Sequence, residues 1–421
     1  MKPNYGQIFL LGFGLFGVSV IWSIYNAFVP VFLSNKFHLS PVFIGFFITL
    51  DNIAALLIQP PVGAWSDKLR TPIGRRMPFI LAGAPVGALT FGLIPLAPVL
   101  PLFVACTSTL LLSMALWRTP VVALMPDLTP SSFRSQANGI INFMAGVGAI
   151  FSYFGGAALY KINSSFPFWM GSVLVILSML LLFIFIKEPK TYQTDEIEVS
   201  EAQPGLLESL KTLFQERDKS ALRLLMAIFF WMVSYSAIEG FFTLYALHHL
   251  RMNEADGTRL LGQLSLMFVI FALPSGYLGS KIGRRATIVI GIILMGGIML
   301  SMFYIPAATL TIPLTTLPVL GVVPVVGALL MVSGIAWALI NIHALPMIVD
   351  MTNAARIGTY TGLYYLFSTL AAIAGPNLNG WIVQLTGRNY NAIMLFAPLC
   401  MAVAFVLMLG VKKGEALQHV E

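Results

Sequence analysis

The chain has 421 residues, of which 58% are hydrophobic and only 10% charged, with a mean hydropathy of +0.86. A water-soluble domain of this length carries far more charge on its surface, so the composition excludes one and defines an integral membrane protein. The net charge of +7 is spread singly through short loops, without a basic stripe or interleaved aromatics, which excludes nucleic acid as a partner and reads as membrane topology.

Apolar runs long enough to span a bilayer fall near residues 8–33, 41–66, 77–97, 101–126, 135–160 and 166–187. The first is too long for a signal-peptide core and lacks a small-residue cleavage site, so it counts as a helix. A polar break follows, and then runs near 223–248, 259–280, 286–306, 316–348, 358–384 and 391–411. The sequence therefore predicts an all-α membrane protein of twelve helices in two six-helix bundles, 1–187 and 223–421, joined by a linker at 188–222. Cys106 and Cys400 lie inside apolar runs and behave there as small hydrophobes.

Lysine and arginine fix the expected orientation. With both termini in the cytoplasm, 18 bases fall inside and five outside, namely Lys36, Lys161, Arg251, Arg259 and Arg388. The remaining one, Arg118, lies within the fourth run. In the linker, residues 191–204 are acidic, while Leu206, Leu207, Leu210, Leu213 and Phe214 recur at the spacing of an amphipathic helix on the inner membrane face.

The two halves repeat one another. Pro60, Gly63, Gly74, Arg75 and Arg76 correspond to Pro274, Gly276, Gly283, Arg284 and Arg285. Asp127, Arg134 and Gly139 correspond to Asp350, Arg356 and Gly362, with 12 residues from Asp to Gly in both copies. The G-x-x-x-D loop from Gly63 to Asp67 that ends in Gly74-Arg75-Arg76, its weaker second copy and the twelve runs resemble the major facilitator superfamily across nearly the whole chain. Within it, Ser66-Asp67, Gly74 to Ile80, and Leu124 to Thr129 with Arg134 and Ala137-Asn138-Gly139 resemble the sucrose transporter group. The pattern from Leu124 to Gly139 is shared more loosely with the glycoside-pentoside-hexuronide cation symporters. The resemblance implies two pseudo-symmetric bundles with a substrate at the midplane between them. It also implies transport of a sugar. Where plant sucrose carriers have a substrate-binding arginine, five residues before the loop aspartate, this chain has Val122; Arg118 stands one helical turn earlier on about the same face.

Three charges stand inside apolar runs: Asp51, Arg118 and Glu239. Each costs about 2.5 to 3.5 kcal/mol near a bilayer centre, so they are expected to face a watery cavity or one another. Arg118 keeps its proton and can serve as a fixed charge and hydrogen-bond fork. Asp51 and Glu239 can titrate: an apolar cavity favours the protonated carboxyl, and an approaching guanidinium favours the carboxylate. Proton coupling is therefore expected at Asp51, Arg118 and Glu239, with a structural ion pair as the alternative.

A sugar site combines amides or charges with flat aromatic faces. The candidates are Trp22, Tyr25 and Asn26; Arg118 beside Trp117; Trp231, Tyr235 and Glu239, which share one helical stripe; Trp337, Asn341 and His343; and Tyr364 and Tyr365. For any one aromatic, packing or lipid contact is the competing explanation, and for His343 it is a bond to a neighbouring helix. A cytoplasmic gate is expected from Gly63, Asp67, Gly74, Arg75, Arg76, Asp127, Arg134, Arg284, Arg285, Asp350 and Arg356, because charge pairs at helix ends can hold one state and break in the other.

The sequence thus leads to a proton-coupled symporter of a di- or oligosaccharide, without cofactor or metal, monomeric, in a plasma or bacterial inner membrane. Two alternatives remain, a sodium-coupled glycoside symporter and an exporter of amphipathic compounds. No H-E-x-x-H, paired-aspartate motif or buried histidine cluster supports an enzyme.

Overall fold

The structure is a computed structural model that describes residues 5–129, 133–188, 218–318, 320–352 and 356–415. The helices of the first half are α1 (Tyr5–Asn35), α2 (Pro41–Ile48), α3 (Leu50–Lys68), α4 (Met77–Leu93), α5 (Leu100–Leu128), α6 (Arg134–Tyr160) and α7 (Phe166–Phe185). The second half contains α8 (Ser220–His248), α9 (Glu254–Ile282), α10 (Arg284–Tyr304), the short α11 (Ala307–Leu310), α12 (Val325–Val349), α13 (Ile357–Leu385) and α14 (Ile393–Leu409). Among the described residues 11 segments, with α2 and α3 taken as one, are long and apolar enough to cross a membrane. The twelfth is α13, 29 residues long but carrying Asn377, Asn379 and Gln384. The linker helix expected at Leu206–Phe214 lies outside the described residues.

Two expected spans are revised. The second is not continuous, because it breaks at Thr49 between α2 and α3. There the Thr49 N–H and hydroxyl both donate to the Phe46 carbonyl, at 3.1 and 2.7 Å, and draw the ladder into a tighter turn. The run 316–348 is also too long, since its start belongs to an antiparallel hairpin of β1 (Pro313–Leu317) and β2 (Gly321–Pro324). Thr315 and Thr316 pair with Val323 and Val322, so β-branched residues favour strand here. Gly321, with φ 68°, closes the turn.

The chain divides into two compact units. The first holds α1, α3 to α7 and the stretch Asn253–Gly262; the second holds Ser40–Thr49, which includes α2, together with α8, the rest of α9 from Gln263, and α10 to α14. Helices in lipid gain little from hydrophobic burial against one another, so close backbone approach and short hydroxyl bonds carry the packing. In the first unit a Cβ on Gly148 would stand 2.7 Å from the Phe16 carbonyl oxygen. Ser172 and Ser113 donate to the carbonyls of Ala88 and Gly83 at 2.6 and 2.5 Å, tying α7 and α5 to α4. Phe28, Phe32 and Phe91 surround Phe168 between α1, α4 and α7.

In the second unit α2 lies on α13 through a reciprocal glycine contact. A Cβ on Gly45 would strike the Pro376 carbonyl oxygen, and one on Gly380 would strike that of Pro41. The Asn377 amide donates to Thr49 Oγ1 at 3.1 Å and closes the contact beside the helix break. Elsewhere in that unit Ser275 donates to the Ala338 carbonyl at 2.9 Å, joining α9 to α12.

Candidate functional site

In the first unit Asp51, two residues after the break at Thr49, stands half-buried in the first turn of α3. The Asn52 amide donates to its Oδ1 at 2.8 Å. The Tyr25 phenol from α1 and the Arg118 guanidinium from α5 both lie within electrostatic reach of this carboxylate, so three helices converge on one charge. Trp22 meets Tyr25 edge to face at 5.7 Å, and Asn26 stands half-buried on the same helix. Among the described residues Trp22 Nε1, Tyr25 OH, Trp117 Nε1 and Thr119 Oγ1 are buried without a hydrogen-bond partner. An unmet buried polar group costs about 1 to 3 kcal/mol, so each of these atoms is chemically suited to a hydrogen bond with a ligand rich in hydroxyls. Val122, the position of the sucrose-carrier arginine, is exposed, whereas Arg118 is half-buried.

In the second unit Tyr235 of α8 lies flat on Trp337 of α12, with centroids 3.7 Å apart and planes within 2°. Trp231, one turn before Tyr235, is fully buried with its Nε1 unpartnered, and Glu239, one turn after, is half-buried. Asn341 follows Trp337 by one turn and is half-buried. Tyr364 is buried and Tyr365 exposed on α13. His343 is held differently. Its Nε2 lies 3.2 Å from Ser275 Oγ and 3.0 Å from the Ser275 carbonyl, and its ring fills the space where a Cβ on Gly279 would stand. The histidine therefore bridges α9 and α12, as the packing alternative expects.

The charged helix ends repeat within each unit. Arg75 donates to Asp127 at 2.6 Å and Arg76 to the same carboxylate at 2.9 Å, while Arg76 also reaches Asp67 and Ser66. Gly63 brings α3 against Thr119 of α5. In the second unit Arg284 pairs with Asp350, but Arg285 departs from the repeat, donating to the Met408 and Leu409 carbonyls at 3.1 and 2.7 Å. Arg356 precedes α13, and Arg134 opens α6 with a side chain outside the described residues.

Two further carboxylates belong to this set and were not expected from the sequence. Glu188 accepts from the backbone N–H groups of Arg75, Arg76 and Met77 at 2.9, 3.1 and 2.7 Å. Glu415 accepts from those of Arg284 and Arg285 at 2.7 and 3.0 Å. Each caps the helix that follows a glycine with positive φ, Gly74 at 110° and Gly283 at 90°, where three or four N–H groups have no helical partner. The only sequence signal is position: each is the first acid after the last apolar run of its half.

Eleven apolar spans among the described residues with α13 beside them, a sequence that repeats between its halves and ionisable groups inside the spans define a membrane transporter rather than an enzyme. The chain belongs to the Major Facilitator Superfamily, whose model matches residues 11–376 and 260–419. It is 27% identical to the General alpha-glucoside permease of Schizosaccharomyces pombe (strain 972 / ATCC 24843) over 214 residues, 44% of this chain and 38% of that protein. It is 24% identical to the Fosmidomycin resistance protein of Escherichia coli (strain K12) over 406 residues, 93% of this chain and 87% of that one. The fold is shared with a bacterial homolog of the human lysosomal transporter Spinster in an inward-facing, occupied conformation (TM-score 0.72, 13% identity, 98% and 97% of the chains covered). It is shared also with the nucleoside transporter NupG (TM-score 0.70, 15% identity, 96% and 98% covered).

Proposed function

We propose that the chain is a proton-coupled symporter of a di- or oligosaccharide, such as sucrose or maltose, that works by alternating access. The observation that carries this reading is Asp51: a titratable carboxylate beside a helix break, with the Tyr25 phenol and the Arg118 guanidinium in reach. The carrier takes a proton on Asp51, binds sugar, changes its open side, and releases both as Arg118 draws the carboxylate back to its charged form. Unpartnered indole and hydroxyl groups in the first unit supply bonds to sugar hydroxyls. Within the second unit, the Tyr235 and Trp337 stack is a separate candidate for an aromatic contact with sugar. The partial match to the alpha-glucoside permease supports a glycoside substrate. The loop pairs around Asp67, Asp127 and Asp350 are the proposed cytoplasmic gate.

A second reading, export of an amphipathic compound, is favoured by the longer match to a resistance protein. Uptake of labelled sucrose and maltose into proteoliposomes separates the two. Accumulation driven by an imposed proton gradient and unchanged when choline replaces sodium supports the proposal. Accumulation that requires sodium moves the coupling ion to sodium, and no accumulation of either sugar sinks the symport reading.

A further inference from the structure

The ends of α8 and α13 bring three basic residues of the second unit together. α8 stops at His248, and the chain turns through Arg251 with a left-handed φ of 58°. α13 stops at Leu385, and Gly387 and Arg388 follow with φ of 70° and 65°. Tyr390 ties the two ends, its ring stacked on His248 at 4.6 Å and 16°. Both guanidinium groups therefore lie within electrostatic reach of the same imidazole. Both arginines are exposed, and among the described residues no acid pairs with either. The acids nearest in sequence are engaged elsewhere: Glu254 accepts from Asn35, and Asp256 holds Lys161, Arg259 and Asn253. Like charges gathered in this way by the backbone attract an anion.

The neighbouring surface selects the anion. Leu378, Trp381 and Leu385 of α13 are 43%, 54% and 78% exposed, and their spacing places them on one apolar column that runs toward Arg388. An exposed tryptophan near the end of a spanning helix marks the boundary between hydrocarbon and headgroups. A ligand that lies on this column and reaches the arginines needs an acyl chain and a negative headgroup. We propose that Arg251 and Arg388, with His248, bind the phosphate of an anionic phospholipid whose acyl chain lies along Leu378, Trp381 and Leu385.

Native mass spectrometry of the full chain in detergent, titrated with phosphatidylglycerol and phosphatidylcholine of the same acyl chains, tests this. Phosphatidylglycerol is expected to bind at least tenfold more tightly. Arg251→Gln and Arg388→Gln should each weaken it about fivefold, the equivalent of one basic contact to an anionic lipid, and Arg388→Lys should keep most of it. Trp381→Ala should weaken both lipids. Equal affinity of the unmodified chain for the two lipids overturns the proposal whether or not the variants fold. So does phosphatidylglycerol binding that neither arginine variant changes. Displacement of the lipid by millimolar inorganic phosphate, with no effect of Trp381→Ala, overturns it in favour of a soluble anion.

Discussion

Tyr235 and Trp337 stand face to face, 3.7 Å apart and parallel to within 2°, and so join α8 to α12, one helical turn from Glu239 on the first helix and one from Asn341 on the second. A sandwich of this kind is not the preferred geometry of two aromatic rings, and with Trp337 buried beneath it the accessible part of the pair belongs to the half-buried Tyr235. If sugar binds against it, Tyr235→Ala should raise KM for uptake about tenfold with little change in kcat, whereas Tyr235→Phe should leave both nearly unchanged. Initial rates in proteoliposomes across a range of sugar concentration give the comparison. An unchanged KM in the alanine variant removes the stack from the site.

Asp51→Asn should uncouple transport. The amide keeps the size of the carboxylate and its bond with Asn52 but carries no titratable proton. Exchange of sugar across a membrane without a gradient should continue within a factor of about three, while accumulation against a gradient falls at least tenfold. Full proton-driven accumulation in this variant would place the coupling elsewhere, with Glu239 the next residue to change.

Asp127 accepts from two guanidinium groups whose side chains are only 7% and 5% exposed. Asp127→Asn leaves both charges buried with half their compensation and should lower stability by about 3 kcal/mol. Asp256→Asn, which removes the half-exposed pair with Lys161, should lower it by less than about 1 kcal/mol. Thermal midpoints in detergent, measured side by side, check the ordering.

Glu188→Gln keeps an acceptor at the start of α4 but removes its charge from three N–H groups, and Glu415→Gln does the same at α10. Each should lower stability by about 1 kcal/mol, and the two should add, because the caps lie in different units. A double variant much worse than the sum would show that the two caps are coupled.

Gly45→Val and Gly380→Val should each be poorly tolerated, since the new side chain meets a carbonyl oxygen of the facing helix rather than a movable side chain. Overpacking of this kind costs about 1 to 3 kcal/mol. Gly297→Val, at a position with open space around it, is the control, and its midpoint should stay within about a degree of the parent.

Composition and the spacing of apolar runs were enough to determine a membrane protein of twelve helices in two repeated halves, because lipid forces every backbone group into a helix and so writes each span as an unbroken apolar run. The motif from Gly63 to Arg76 was enough for the superfamily, and lone charges within apolar runs were enough to single out Asp51, Arg118 and Glu239. Tertiary structure decided what periodicity leaves open. The break at Thr49, where the Phe46 carbonyl takes both the N–H and the hydroxyl, and the hairpin at Pro313–Pro324, which depends on pairing between strands, are features that an apolar run does not reveal. The fate of His343 was equally hidden, since its capture by Ser275 requires knowing which helices meet. Glu188 and Glu415 were missed for the same reason: a carboxylate becomes a helix cap only when a segment more than a hundred residues away is folded against it.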